Sequence, residues 1–507
     1  MKNFESILFD DFKYKVKSCK KDTDFLKDLN IVQIVDAIIS SKKEYDIEPF
    51  FYTPLADRDL VLYRQQVMSD LQNRELFDLI KEYEKLFSSI KTALKNSEKL
   101  NNIYQKSSWC LKAATLYKDG IIEFERRFEK IKKNSIGFKK FYDYIKSYIS
   151  SKRFTDLCKS CDNLQNELNK INYYIRIKEG CVELMDMEGL SNYEDEIDAL
   201  FERFTQDSTA DEVEFSDNAI ELNHVEDKIL NMVVHKYDKT FSLVEDFYKK
   251  NHLFVDEKLK KFDNEIQFYL SFLEFIEPIG FDKFSFAEIS NDKNIYAYGF
   301  FDLLLASKLQ KECKEIVDND FYMDANEKAI VITGPNQGGK TTFARAVGEL
   351  FYFNSLGCPV PAKKAKLFLQ NAIFTHFERE ESVENLRSKL EDDIERIKSI
   401  IENAKQDSVV IVNEIFSSTT LEDALWLSKK IIDSLLKKDI LLIWVTFIDE
   451  ISKLDKKVVS MVSLVDHSQN NKKTYKIVRQ EADGKAYAKS IAKRYSLSYE
   501  DIVKRIK

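Results

Sequence analysis

The sequence predicts a multidomain chain in which a long helical region is followed by an α/β domain. Three observations lead there. First, 507 residues are too many for one ordinary core, and they include only 12 Gly and 6 Pro, which favours long unbroken helices over tight turns. Second, apolar residues recur at helical spacing through most of the first 276 positions. Third, Gly334-Pro335-Asn336-Gln337-Gly338-Gly339-Lys340-Thr341 fits the pattern G-x-x-x-x-G-K-[ST]. An apolar run of strand length, Lys328 to Thr333, precedes it, and Ala344, Val347, Leu350 and Phe351 follow at helical spacing. Strand, glycine-rich turn and helix form the setting in which backbone N–H groups and a helix N-terminus receive phosphate oxygens. In that setting Lys340 reaches the β- and γ-phosphates of a nucleotide and Thr341 holds Mg²⁺. The alternative is a structural turn with a solvated lysine.

Taken in order, residues 1 to about 110 read as helices with short breaks, Pro49 and Pro54 bracketing a non-helical connection. From 111 to 276 the spacing predicts two antiparallel helical arms. Leu157, Cys161, Leu164, Leu168, Ile171 and Ile175 form a heptad seam, and Phe262, Ile266, Leu270 and Leu273 line the return arm. Between the arms, about 185–222 is irregular and acidic and reads as a small tip. The stretch 130–153 interleaves lysines with aromatics, which suits a nucleic-acid strand. The competing and preferred reading is a core-facing stripe of Phe138, Phe141, Ile145, Tyr148 and Ile149 with a wet lysine side. Residues 277–320 connect into the last domain, 321–507, where Val409–Asn413 and Leu441–Thr446 are further apolar strands flanked by helical patterns. Such alternation predicts a largely parallel sheet covered on both faces.

Charge and cysteine usage exclude some classes. Lys+Arg 78 against Asp+Glu 86 gives a net charge of −8, so the chain is not a globally basic nucleic-acid binder. The only close cysteine pair, Cys158 and Cys161, lacks a second pair or nearby histidines, and reduced thiols are expected rather than zinc. No apolar run approaches about 18 residues and no signal peptide opens the chain, so a cytoplasmic location without membrane contact is expected.

After the strand Val409–Val412 come Asn413 and Glu414. An apolar strand delivering acidic side chains to its C-terminal end is the second half of a nucleotide-hydrolysing site. Glu414 would orient a water for attack on the γ-phosphate. Asn413 stands where a carboxylate is usual. The missing charge weakens the hold on Mg²⁺, so slow turnover with retained ATP binding is expected.

Thr333 to Thr342 resembles the T-G-P-N-M-G-G-K-S-T signature of the MutS family of DNA mismatch-repair ATPases. Further segments follow in register. Gly357-Cys-Pro-Val-Pro-Ala362 resembles G-C-F-V-P-A, and Ile373-Phe-Thr375 resembles I-F-T-R. Leu386 to Leu390 stands at the G-R-S-T-F segment, and Ile415-Phe-Ser-Ser-Thr-Thr-Leu corresponds to I-G-R-G-T-S-T. Ala482 to Tyr487 resembles the C-terminal K-S-Y-G region, and Asn319-Asp320 the N-D before the ATPase strand.

The resemblance implies a helical core (1–110), lever arms with a clamp-like tip (111–276), a connector (277–320) and an ABC-like P-loop ATPase ending in a helical dimerisation segment (321–507). It also implies a homodimer joined through the ATPase domains, with ATP and Mg²⁺ as cofactors and DNA as partner. Each ATP would lie between Gly334, Pro335, Asn336, Gly338, Gly339, Lys340, Thr341 and Thr342 of one subunit and Ser388 of the other. Thr341 and Asn413 would serve the metal. Ile316 aligns with the aromatic that the family stacks on adenine, and Asn319 belongs to the same cofactor set. Lys340, Glu414 and Ser388 would be catalytic, although Ser388 also suits an N-cap with Glu391.

Two departures shape the expected function. The chain starts in the helical core, without the domains that carry the family's mismatch reader, and the family's A-T-H switch reads Val445-Thr446-Phe447. An ATP-switched dimeric clamp on DNA, acting in repair or recombination without mismatch reading, is therefore expected. The alternative is an ATP-switched interaction protein that binds a protein or ribosomal partner.

Overall fold

The computed structural model describes residues 4–10, 20–178, 181–186, 222, 224–378, 389–466 and 472–482. The expected tip (about 185–222), Ser388 and the C-terminal segment from 483 lie largely or wholly outside them. The chain divides into two compact units, residues 1–6 with 69–263, and residues 7–68 with 264–507. Among the described residues no helix is long and apolar enough to cross a membrane.

The N-terminal helices are α1 (Asp24–Asp28), α2 (Ile31–Ile39), α3 (Glu48–Phe51) and α4 (Arg58–Asp70). These belong almost wholly to the second unit, whereas the first unit holds α5 (Arg74–Lys99), α6 (Ile103–Lys130), α7 (Ile136–Ile149) and α8 (Lys152–Leu168). A hairpin of β1 (Tyr173–Lys178) and β2 (Cys181–Asp186) follows, then α9 (His224–Lys236), α10 (Asp238–Asn251) and α11 (Glu257–Ile276). Side-chain caps start the helices: Asn73, Asn102, Ser135 and Ser151 each accept a first-turn backbone N–H. Tyr83, Phe124, Phe141 and Phe262 pack ring against ring in the core of this unit. Phe138, Phe141, Ile145 and Tyr148 are buried and Ile149 partly so, and the aromatic stripe of 130–153 faces the core.

The heptad seam does not run through Ile175, because α8 ends at Leu168 and Ile175 lies in β1. The stretch from Tyr173 alternates aromatic and β-branched residues with period two and pairs with β2, which wins over the helical spacing.

In the second unit a four-stranded sheet is built from β3 (Glu288–Ile289), β4 (Ile295–Phe300), β5 (Asn319–Met323) and β7 (Lys364–Leu367), in the order β3-β7-β4-β5. Helix α12 (Leu303–Lys311) lies between β4 and β5 in the chain. The larger sheet contains β6 (Ala329–Thr333), β8 (Ile373–Phe377), β9 (Val409–Asn413), β10 (Leu441–Val445), β11 (Val458–Asp466) and β12 (Lys472–Arg479). Its order is β12-β11-β6-β10-β9-β8, parallel except for the antiparallel edge strand β12.

Strands β6, β9 and β10 are buried at every residue, which explains why each reads as a continuous apolar run. On one face Ala329, Val331, Val410, Val412, Leu442 and Trp444 pack against α14 (Lys389–Asn403) and α15 (Leu421–Leu436). On the other lies α13 (Lys340–Leu356), buried almost all round. A Cβ on Gly348 would meet Leu29 on one side and Ile411 on the other, so this helix is pressed between N-terminal segment and sheet. Arg64 is fully buried beside it, donating to the carbonyls of Leu8 and Leu356 and stacked on Phe9 and Phe268.

Candidate functional site

The loop between β6 and α13 follows from the geometry around it. Gly334 and Gly339 have φ of +123° and +93°, which residues with a Cβ rarely adopt. A Cβ on Gly334 would also come 3.1 Å from the backbone nitrogen of Ser463 on β11. Ser463 fastens the loop from outside, its Oγ donating to the Gly338 carbonyl at 2.8 Å. Gln337 takes the left-handed conformation too, with φ +60°.

Lys340 is buried and turned into the loop. Its Nζ donates to the carbonyls of Gly334 (2.9 Å) and Pro335 (3.2 Å) and to Asn336 Oδ1 (3.4 Å). Glu414 Oε1 lies 3.5 Å away. Burial pushes the lysine's pKa below its ordinary value, and the Glu414 carboxylate opposes that shift. Thr341 Oγ1 donates to Asn413 Oδ1 across 3.0 Å, so first turn of α13 and end of β9 meet through two oxygen atoms.

Glu414 sits on a strained turn. Glu414 and Phe416 have φ of +52° and +65°, and such conformations cost roughly 1–3 kcal/mol each unless the surroundings compensate. The Glu414 N–H donates to the Val445 carbonyl at 3.0 Å, which ties this turn to the end of β10. Thr446 follows there and donates to the Ile332 carbonyl, and Phe447 is half exposed.

A cavity of about 510 Å³ opens beside the loop. Gly339, Lys340, Thr341, Thr342 and Glu414 form its polar end, with the N-terminus of α13. Phe300, Leu305, Leu309, Phe343 and Ile316 form its apolar end. Asn319 also lines it, but its amide is engaged: Nδ2 donates to the Tyr475 carbonyl (3.2 Å) and Oδ1 accepts from Ile477 N (2.8 Å). Gly334, Pro335, Asn336, Gly338 and Asn413 do not line it, and Ser388 lies outside the described residues.

Sequence reasoning missed Tyr475. It lines the cavity, is half exposed, has φ +57°, and would lie 3.7 Å from a Cβ on Gly339. The register between β11 and β12 slips between Ser463 and Val465, which leaves extra residues on β12 and turns Tyr475 towards the loop. No local signal announces a bulge set by pairing with another strand. Asp302 was also missed. It is buried on the cavity wall, caps α12 by accepting from Leu305 N, and has its pKa raised by burial.

Residues 330–506 match the family profile described as MutS domain V. The DNA mismatch repair protein MutS of Thermotoga maritima is 31% identical over 130 residues, 26% of this chain and 16% of that protein. The protein of the same name from Petrotoga mobilis is 24% identical over 236 residues, 46% of this chain and 27% of its own. Endonuclease MutS2 of Thermus thermophilus is 26% identical over 193 residues, 38% of this chain and 26% of its own. The chain thus spans a sixth to about a quarter of the length of these relatives. The C-terminal region, residues 330–506, is thus a MutS domain V, similar to the matching part of MutS and MutS2 proteins.

Proposed function

We propose that the chain is an ATP hydrolase of the MutS kind, an ATP-switched clamp that acts on DNA in repair or recombination without reading mismatches. The observation that carries this reading is the meeting of Lys340, Thr341 and Glu414 on a cavity of nucleotide size, with Asn413 bonded to Thr341. The donor set fits its ligands. Thr341 and Asn413 offer oxygen atoms 3.0 Å apart, the chemistry that suits Mg²⁺, and Lys340 supplies a cation beside the helix N-terminus.

In this reading Lys340 exchanges the loop carbonyls for the β- and γ-phosphates, and the first-turn N–H groups of α13 receive phosphate oxygens. Glu414 orients and polarises the attacking water, while the apolar end of the cavity, with Ile316, takes the base. Mg²⁺, held by Thr341 and Asn413, neutralises phosphate charge when bound. With Asn413 in place of a carboxylate, turnover is slow. Ser388 of a second copy completes the site, so two P-loop domains (321–507) close on ATP. That closure moves the helical arms of 111–276 and alters their grip on DNA phosphates. A cytoplasmic location goes with this role.

The test is nucleotide-dependent assembly. With ATP and Mg²⁺, Glu414→Ala should run as a dimer in light scattering while Lys340→Ala does not. Absence of any ATP affinity in the wild-type chain would overturn the reading. The net charge of −8 favours a second one, an ATP-switched partner for a protein or ribosomal surface. Salt-sensitive, ATP-responsive gel shifts with duplex or branched DNA support the clamp, and no shift at low salt supports its rival.

A further inference from the structure

The turn after β9 needs something to hold it. Glu414 and Phe416 both have left-handed backbone, at φ +52° and +65°, and neither is a glycine. The family signature that this stretch resembles carries glycine in the register of Phe416, and glycine takes that conformation unaided. Here the Phe416 end is tied from α14. The Phe416 N–H donates to Asp393 Oδ2 at 3.4 Å, and the other oxygen of Asp393 lies 3.2 Å from Nε2 of His376 on β8. Asp393 and His376 are both buried, as are Ile415 and the Phe416 ring beneath α14 and α15.

Neither Asp393 nor His376 lines the cavity, so any effect on chemistry passes through the turn. We propose that Asp393, oriented by His376, is a positioning residue that fixes the turn so that the Glu414 carboxylate stays beside Lys340 and the cavity. This deepens the ATP-hydrolase reading and rests on it. Asp393 accepts from this backbone N–H, and His376 of β8 stands against the other oxygen of its carboxylate. Without that acceptor, Phe416 is free to leave the left-handed region and to swing Glu414 with it. A displacement of about 1 Å at a catalytic group is enough to lose about 100-fold in rate.

The experiment measures steady-state ATP hydrolysis and the affinity for a fluorescent ATP analogue on the full chain. Asp393→Ala should lower kcat by about 10- to 100-fold while the analogue's Kd stays within about threefold. Asp393→Asn keeps an acceptor oxygen and should retain most of the rate. Adding Phe416→Gly to Asp393→Ala should recover at least about tenfold, since glycine needs no clamp. A purely structural role would move Kd and melting temperature together and would not be rescued by the glycine.

Wild-type kcat in Asp393→Ala, or a loss that Phe416→Gly leaves untouched, overturns the proposal. If Asp393→Ala does not fold, His376→Phe gives the same reading: a lower kcat at unchanged Kd supports the clamp, and an unchanged kcat refutes it. If the wild type binds ATP without hydrolysing it, the hydrolase reading fails on its own. Amide hydrogen exchange across 413–420 then decides the clamp, faster exchange in Asp393→Ala or His376→Phe supporting it and equal exchange refuting it.

Discussion

The hydroxyl of Thr341 donates a hydrogen bond to the side-chain oxygen of Asn413 across 3.0 Å, joining the first turn of α13 to the end of β9. A carboxylate at 413 would bring a full negative charge to that point, where the amide brings only a dipole. Coulomb attraction to a divalent cation is the quantity forfeited. Asn413→Asp should therefore lower the Mg²⁺ concentration for half-maximal ATP hydrolysis by at least about tenfold and raise kcat. A magnesium titration of the two proteins checks this, and identical curves would remove the electrostatic account.

Lys340 holds three oxygen atoms of its own loop and lies 3.5 Å from Glu414. Its ammonium is thus pre-placed where phosphate oxygens would arrive. Charge-assisted hydrogen bonds contribute about 1.5–3 kcal/mol each, so Lys340→Ala should weaken ATP by about 10- to 100-fold or more. Lys340→Arg is no rescue, because the wider guanidinium does not fit among the loop carbonyls. Calorimetric titration with a non-hydrolysable analogue measures both variants.

Tyr475 presents an exposed ring on the cavity wall beside Gly339, and Asn319 holds its strand through the Tyr475 carbonyl and the Ile477 N–H. A base stacked on it would gain about 1–3 kcal/mol. Tyr475→Ala should raise the KM for ATP by about five- to 100-fold with little change in kcat, and Tyr475→Phe should behave as wild type. An unchanged KM in Tyr475→Ala would leave the base to the apolar end of the cavity alone.

What the sequence reveals and conceals follows from the range of the forces involved. Strands β6, β9 and β10 are buried on both faces, so burial writes itself into the chain as short unbroken apolar runs. The loop at 334–339 is legible because its glycines answer local demands of φ and close approach. The four-stranded sheet of 288–367 is not, since its strands are two to six residues long and keep polar residues on one side. The hairpin at 173–186 hid behind a heptad spacing that continues by coincidence past the end of α8. Tyr475, and the convergence of His376, Asp393 and Phe416, depend on strand register and helix docking, which no local pattern encodes.

Glu349 gives the last prediction, on stability. It is fully buried in α13 and accepts from Leu303 N at 2.7 Å. Burial, with the nearby Asp302 carboxylate, pushes its pKa well above 4.5. A raised folded-state value means that the native chain holds a proton which the unfolded chain releases above about 4.5. The resulting stability is complete below that value and is lost as pH rises through the folded-state pKa. Glu349→Gln keeps an acceptor for Leu303 and removes the titration. Its advantage over wild type should therefore grow with pH, by up to about 1.4 kcal/mol per pH unit within that window, and vanish towards pH 4.5. Urea unfolding of both proteins at about pH 5 and pH 8 measures the difference, and parallel pH profiles would show that Glu349 is already charged in the folded chain.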